Sequence, residues 1–169
     1  MLKEIFSSSD IIINNSYFEE NMANTGGAIY AQEDRIELNN CTFKDNHAVK
    51  GGAIYVSGQR ILLNGLNFTN NYATNDFPTR KGLQNNTVKV IIRNNLTLGG
   101  AVYIQGNNAI INNSDFRYNS AILTDESLSG NGGAIYVVGN NLKIEKSQFH
   151  DNLAHGGNGS NAVNLRILL

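Results

Sequence analysis

Apolar residues alternate with polar or variable ones in short stretches along the whole chain. One such stretch precedes each of five phenylalanines and places two aliphatic residues two positions apart, as in Ile36 and Leu38. Another follows each Gly-Gly pair, as in Ile54 and Val56. A period of two with bulky aliphatic residues on one side is typical of strands with one buried face, and no stretch shows helical spacing. The pattern therefore predicts an all-β protein made of short strands.

Two motifs recur at fixed spacing, and they define the repeat. The distance from each Gly-Gly-Ala motif to the following Phe-x-x-Asn-x-Ala motif is the same throughout, and the basic unit is about 25 residues long. Fixed spacing of this kind is typical of stacked, equivalent coils. We therefore predict a single-stranded parallel β-helix over residues 1–169, a solenoid with three short strands per coil and about five to six coils. The motifs begin at Gly26, Gly51, Gly99 and Gly132, and at Phe18, Phe43, Phe68, Phe116 and Phe149.

Additional residues enter the repeat at one point, just after the alanine, and form insertions at 74–98 and 122–131. Because both follow the same repeat position, we expect them to lie side by side on one edge. The first adds about 23 residues to the repeat, nearly the length of a coil, so it is either a protruding flap or a degenerate coil. Their charges give the first a net +3 and the second a net −2. The charged residues are Asp76, Arg80, Lys81, Lys89 and Arg93 in the first, and Asp125 and Glu126 in the second.

Asparagine is the most frequent residue in the chain and its most distinctive component. Pairs such as Asn39-Asn40 precede the phenylalanines and are expected at the bend between the second and third strands. Asparagine tolerates left-handed backbone there, and stacked asparagine side chains can form a ladder. The asparagine of Phe-x-x-Asn is expected to act in the same way at the next bend. The Gly-Gly pair suits the third bend.

Four tyrosines occupy the same repeat position, with parity opposite to the buried aliphatic pairs. We expect an outward ladder whose rings either fix the coil register by stacking or form a strip for sugar rings or a partner. Together with the two insertions, this ladder is the predicted ligand-contacting surface, since loops on a rigid scaffold commonly carry binding. The tyrosines are Tyr30, Tyr55, Tyr103 and Tyr136.

Gly-Gly-Ala-Ile alternating with Phe-x-x-Asn resembles the repeats of chlamydial-type polymorphic outer-membrane proteins. The asparagine-rich form of the repeat also resembles modules of methanogen adhesin-like surface proteins, and the resemblance extends from Ile11 to Gly157. It implies a right-handed β-helix that acts as a non-catalytic, adhesin-like module outside the cell or at its surface. The implied partners are a glycan or protein of a host or neighbouring cell, and other segments of a longer β-helix. Since the segment from Met1 to Thr25 shows no export signal, we expect an excerpt of a longer protein.

Many parallel β-helices cleave polysaccharides, so a lyase, hydrolase or tailspike-like depolymerase fragment is the alternative function. The best acidic pair is Glu20 and Asp45, two residues after successive phenylalanines. These acids are read as exposed bend residues, as a weak Ca²⁺ site or as a catalytic pair, in decreasing order of preference. No other cofactor is expected. A net charge of −1 argues against nucleic acid as a partner, and the absence of a long apolar run argues against membrane insertion.

Overall fold

Short strands joined by bends make up the described parts of the chain. A computed structural model describes residues 10–75, 96–123, 129–155 and 165–168. Over these ranges there is no helix, and so none that could cross a membrane. The strands confirm the all-β class that the alternating pattern predicts.

The strands of the first half are β1 (Asp10–Asn14), β2 (Tyr17–Glu19), β3 (Ile29–Ala31), β4 (Arg35–Asn39), β5 (Thr42–Lys44), β6 (His47–Ala48), β7 (Ile54–Gly58), β8 (Arg60–Asn64), β9 (Asn67–Thr69) and β10 (Tyr72–Thr74). Those of the second half are β11 (Leu96–Leu98), β12 (Val102–Gly106), β13 (Ala109–Asn112), β14 (Asp115–Arg117), β15 (Ser120–Ile122), β16 (Ser129–Asn131), β17 (Ile135–Val138), β18 (Lys143–Glu145), β19 (Gln148–His150), β20 (Leu153–His155) and β21 (Leu165–Leu168).

Equivalent strands of successive repeats pair in parallel, which confirms the parallel β-helix. The first sheet has the order β1-β4-β8-β13-β18, the second β2-β5-β9-β14-β19, and the third β3-β7-β12-β17-β21. The structure adds a fourth sheet, β6-β10-β15-β20, and the pair β11-β16. Strands of the fourth sheet have two or three residues, and the motif alanine is the only apolar residue that each buries, so they lack the pair of inward apolar residues two positions apart that marks the other strands. The prediction of three strands per coil therefore omitted a short one.

The register places equivalent motif residues next to one another. Ile36 pairs with Ile61 in the first sheet, and Phe43 pairs with Phe68 in the second. Phe68 also pairs directly with Phe116, although the first insertion separates them in the chain. An additional coil within the stack would separate these two phenylalanines in space as well. The first insertion therefore does not add a coil between them, which argues against the degenerate-coil alternative.

The core is a column of aromatic rings surrounded by aliphatic side chains. Five phenylalanine rings stack with centroids 4.7 to 4.9 Å apart, and the central rings are fully buried. The aliphatic residues of the first and third sheets, such as Ile61 and Ile104, pack around them. Cys41 is buried and carries a free thiol, as expected for a small core residue. The fully buried phenylalanines are Phe43, Phe68 and Phe116.

A second internal column consists of asparagines from the Phe-x-x-Asn motif. The side-chain amide of Asn71 donates to Oδ1 of Asn119 at 3.0 Å and to the carbonyl of Phe43 at 3.0 Å. Its own Oδ1 accepts from the side-chain amide and the backbone N–H of Asn46. Each amide thus bonds to the coil on either side, so that four hydrogen bonds satisfy a fully buried polar group. The column runs through Asn21, Asn46, Asn71, Asn119 and Asn152.

Left-handed residues make three of the bends, two of them as predicted. Asn40 has φ 51° at the bend before the phenylalanine, and Gly51 has φ 60° at the Gly-Gly bend. At the remaining bend the predicted asparagine ladder is present, but the prediction of left-handed backbone at the asparagine was wrong, because the residue before it is the left-handed one. That residue is the second after each phenylalanine, with φ between 51° and 55°. It is Glu20, Asp45, Asn70, Tyr118 or Asp151.

Candidate binding surface

The predicted tyrosine ladder is present and continuous along the third sheet. Tyr30, Tyr55, Tyr103 and Tyr136 pair in register on β3, β7, β12 and β17. Their rings stack with centroids 5.2, 4.8 and 5.5 Å apart. Such spacing matches the distance between neighbouring strands, roughly 4.8 Å. The stacked rings therefore support the coil register, as one of the two interpretations of the ladder expects.

The expectation that the whole ladder faces outward was wrong for its second half. Tyr30 is 54% exposed, whereas Tyr103 is 6% and Tyr136 is 8% exposed. Tyr103 and Tyr136 form a small apolar cluster with Leu98. Burial raises the pKa of the Tyr103 phenol, and the neighbouring phenols add to this rise. The accessible part of the ladder is therefore its first half, Tyr30 and the half-buried Tyr55.

Stacking also limits what the accessible tyrosines can bind. The faces of the Tyr55 ring are covered by Tyr30 on one side and Tyr103 on the other. A sugar ring that packs on an aromatic side chain uses the ring face, so at Tyr55 the edge and the hydroxyl remain. The Tyr55 hydroxyl donates to Oε1 of Gln105 at 2.9 Å. This half of the ladder therefore offers the ring edge of Tyr55 and the more exposed ring of Tyr30 to a partner.

The two insertions leave the solenoid from paired residues and return to it at paired residues. Thr74, at the end of β10, pairs with Ile122 at the end of β15. Leu96, at the start of β11, pairs with Ser129 at the start of β16. The predicted bounds of the insertions, 74–98 and 122–131, therefore each include strand residues at both ends. The four attachment points form two adjacent pairs, as expected for loops that leave one edge in successive coils.

The charged residues of the insertions belong to the parts of the chain outside the described residues. They are Asp76, Arg80, Lys81, Lys89 and Arg93 in the first insertion, and Asp125 and Glu126 in the second. Their grouping into one surface stays a prediction from their sequence positions. Next to the attachment points, Lys50 pairs with Leu98, and its ammonium lies 6.0 Å from the centre of the Tyr103 ring.

Glu20 and Asp45, the acidic pair of the sequence analysis, serve the backbone at a bend. Both have left-handed φ, and the carboxylate of Asp45 lies 3.4 Å from the ammonium of Lys44. Lys44 also pairs with Glu19 of the preceding repeat, and this hydrogen bond raises the pKa of the ammonium. Among the described residues, no group of three or more His, Cys, Asp or Glu side chains is placed to hold a metal ion. The arrangement fits the interpretation of these acids as bend residues.

The outer face of the first sheet carries an open trough that the sequence analysis missed. Two adjoining grooves of about 350 and 330 Å³ share Asn108 and Ile110. Arg60 and Leu62 line one end, and Lys143 lines the other. Leu62 and Ile110 occupy the middle of their strands, a position that also holds the exposed Ile12. Apolar residues at this outward position are the sequence signal for the trough, but Glu37 and Lys143 occupy the same position in other repeats, so the pattern alone indicates a variable surface position.

Three segments of the chain match the family model of the Chlamydia polymorphic membrane protein repeat, namely residues 15–32, 40–57 and 110–138. Each contains one Phe-x-x-Asn-x-Ala motif followed by one Gly-Gly-Ala motif. No curated protein and no solved structure matches the chain. The likeness to methanogen adhesin-like proteins therefore stays a prediction. The matches confirm the resemblance read from the motifs: the chain carries segments similar to the repeats of this non-enzymatic family of outer-membrane and surface proteins.

Proposed function

We propose that this chain is a non-catalytic, adhesin-like module exposed at the cell surface. In this proposal the solenoid is a rigid support, and the two insertions with the accessible tyrosines bind a glycan or protein of a host or neighbouring cell. The observation that carries the proposal is the attachment of both insertions to paired residues, Thr74 with Ile122 and Leu96 with Ser129. Two chain segments of opposite net charge thus start next to each other.

Rigidity of the support favours this role. The phenylalanine stack and the asparagine column run through successive coils below the strands that carry the insertions. Such a scaffold keeps the attachment points of the insertions in fixed positions when a partner binds. Ala73 and Ala121, which precede the two attachment points, are fully buried and paired with each other. The loop attachments are therefore fixed by the same packing that holds the coils together.

The chemistry of the surface favours a polar partner. The first insertion contributes a net charge of +3 and the second −2, while Tyr30 and Tyr55 contribute ring edges and hydroxyls on the third sheet. Charges of both signs combined with exposed phenols suit recognition of a glycan or of a polar protein surface. Export outside the cell accords with the surface proteins from which the matched repeats come.

The test compares attachment of the intact chain with that of a chain lacking residues 75–97. Both proteins are coupled to beads and incubated with cells and with a glycan panel. We expect the intact chain to attach, and the excised chain to lose most of that attachment while it keeps its β-rich circular dichroism. A matched excision of residues 123–130 tests the acidic insertion in the same way. Release of reducing ends from the polysaccharides, if abolished by Glu20→Ala or Asp45→Ala, would instead establish the enzymatic alternative.

A further inference from the structure

We propose that the trough on the outer face of the first sheet binds an acidic oligosaccharide, with Arg60 holding a sugar carboxylate. This inference rests on the proposed function and names a second binding surface and its ligand class. The trough crosses β4, β8, β13 and β18, so that it is about 14 Å long at the usual strand spacing. It therefore accommodates a short run of linked sugars along the solenoid axis.

The positive charge of Arg60, at one end of the trough, is not neutralised by a carboxylate of any described residue. Its neighbour on β4, Arg35, pairs with Asp10 at 2.8 Å and lies 3.8 Å from Glu37. Arg60 is exposed and forms no ion pair with any residue that the structure describes. A guanidinium matches a carboxylate through two parallel hydrogen bonds, a stronger arrangement than a neutral contact. Arg60 is thus the group in the trough that an anionic ligand can neutralise.

The rest of the trough has the two elements that sugar binding requires. Leu62 and Ile110 provide an apolar surface at the middle of neighbouring strands, and Ile110 is 39% exposed. Asn108 and Asn141 stand beside this surface, and the amide of Asn141 donates to Oδ1 of Asn108 at 2.9 Å. Aliphatic side chains can cover the C–H face of a sugar, while amides bond to its hydroxyls. The amides and the apolar strip lie side by side along the trough.

Other classes of ligand fit this face less well. A peptide cannot add a strand here, because β8 and β13 are central strands whose edges are already paired. The shallow, open shape also provides no deep pocket for an anchoring side chain. Nucleic acid would place its phosphates close to the carboxylates of Asp10 and Glu37, which line the same face beside Arg35. A ligand with isolated carboxylates and many hydroxyls avoids both difficulties.

The test is a titration of the full chain with a tetrasaccharide that contains a single hexuronic acid and with its carboxyl-reduced, neutral counterpart. We expect the acidic sugar to bind and to shift the amide signals of β8 and β13 in NMR spectra. Arg60→Gln should weaken its binding at least about tenfold, the loss expected for a charged hydrogen-bonded pair. Arg60→Lys should give an intermediate affinity, since it keeps the charge without the planar fork. Ile110→Ser should weaken both sugars.

Arg117→Gln is the matched control, because Arg117 is an exposed arginine on the second sheet, paired with Asp115. Its affinity for the acidic sugar should equal that of the unchanged chain. Equal binding of the acidic and neutral sugars, no binding of either, or equal losses in Arg60→Gln and Arg117→Gln would overturn the trough proposal. Attachment to cells tests the proposed function separately. If attachment is lost on excision of residues 75–97 but kept in Arg60→Gln, it depends on the insertion and not on the trough, so failure of the trough proposal can be distinguished from failure of the proposed function.

Discussion

The side-chain amide of Asn46 donates to Oδ1 of Asn71 at 2.9 Å, and both residues are completely buried. The backbone N–H of Asn46 shares the same acceptor at 3.1 Å. One oxygen thus satisfies two donors of the neighbouring coil in the interior. Because an unsatisfied buried donor costs about 1–3 kcal/mol, removal of one amide from this column is expected to be strongly destabilising.

Asn71→Ala should lower the free energy of unfolding by about 3 kcal/mol or more, since it leaves two donors of Asn46 without an acceptor. The matched control is Asn64→Ala at the end of β8, where the side chain of Asn64 bonds to those of Asn39 and Asn112 at 3.4 and 3.3 Å. Water can replace those longer bonds, so the control should lose under about 1 kcal/mol. Urea unfolding measures both. Similar losses would show that the inner column is not a main source of stability.

The second glycine of each Gly-Gly pair is required for close approach of neighbouring coils. A Cβ added to Gly52 would lie 2.1 Å from the carbonyl oxygen of Gly100. Gly52→Ala should therefore unfold the central coils or lower the midpoint of thermal unfolding strongly. Gly65, by contrast, has φ 64° at a bend where other repeats carry asparagine, such as Asn40. Gly65→Asn should leave the midpoint nearly unchanged, because the side chain of Asn40 can move aside.

His47 should make stability depend on pH. Its ring stacks on Tyr72 with centroids 5.1 Å apart, and its Nδ1 is buried without a partner among the described residues. Burial lowers the pKa of this imidazole, and nearby Asp45 opposes the shift. As the pH is lowered, the unfolded chain therefore binds a proton at His47 at a higher pH than the folded chain does. The free energy of unfolding falls as the pH drops below the pKa of histidine in the unfolded chain, about 6.5.

The measurement is the difference in unfolding free energy between pH 7.5 and 5 for three proteins, the unchanged chain, His47→Tyr and His150→Gln. His47→Tyr should reduce the pH dependence, because tyrosine carries no charge in this range and matches Tyr72 in the next repeat. His150→Gln is the control for loss of a histidine at an exposed position. An unchanged slope in His47→Tyr would show that other groups set the pH dependence.

Much of the scaffold could be predicted from the sequence, because it is encoded by repetition. Phe43 and Phe68 occur at equal repeat positions, and equivalence alone predicts that they pair. The burial of equivalent residues in successive coils cannot be predicted in this way, because it depends on which other residues cover each coil. Tyr30 and Tyr136 have the same repeat position, yet one is 54% and the other 8% exposed. The trough was missed for a related reason, since it is formed by neighbouring residues of several coils that differ in type.

Phe68→Ala should cost about 3–5 kcal/mol of unfolding free energy, because its fully buried ring stacks on Phe43 and Phe116 at 4.9 and 4.7 Å. Phe77 lies outside the repeat positions and outside the described residues. Phe77→Ala is expected to cost under about 1 kcal/mol. Chemical denaturation of the two variants in parallel tests the register, which would be in error if the losses were equal.

Excision of residues 75–97 should restore a regular coil. Thr74 follows Ala73 as Val49 follows Ala48, and Leu98 pairs with Lys50. Joining Thr74 to Leu98 therefore gives the spacing of the uninterrupted repeats.

The excised chain should keep cooperative unfolding and lose under about 2 kcal/mol, chiefly from the pairing of Leu96 and Thr97 with Ser129 and Gly130. Excision of residues 75–97 leaves Ser129 and Gly130 without their strand partners. A second excision, of residues 123–130, removes these two residues, so the doubly excised chain should regain part of the lost unfolding free energy. The direct stacking of Phe68 on Phe116 is the reason to expect tolerance, because the column continues without the insertion. Loss of the cooperative transition in both excised chains would mean that the insertion is needed to hold these two coils together.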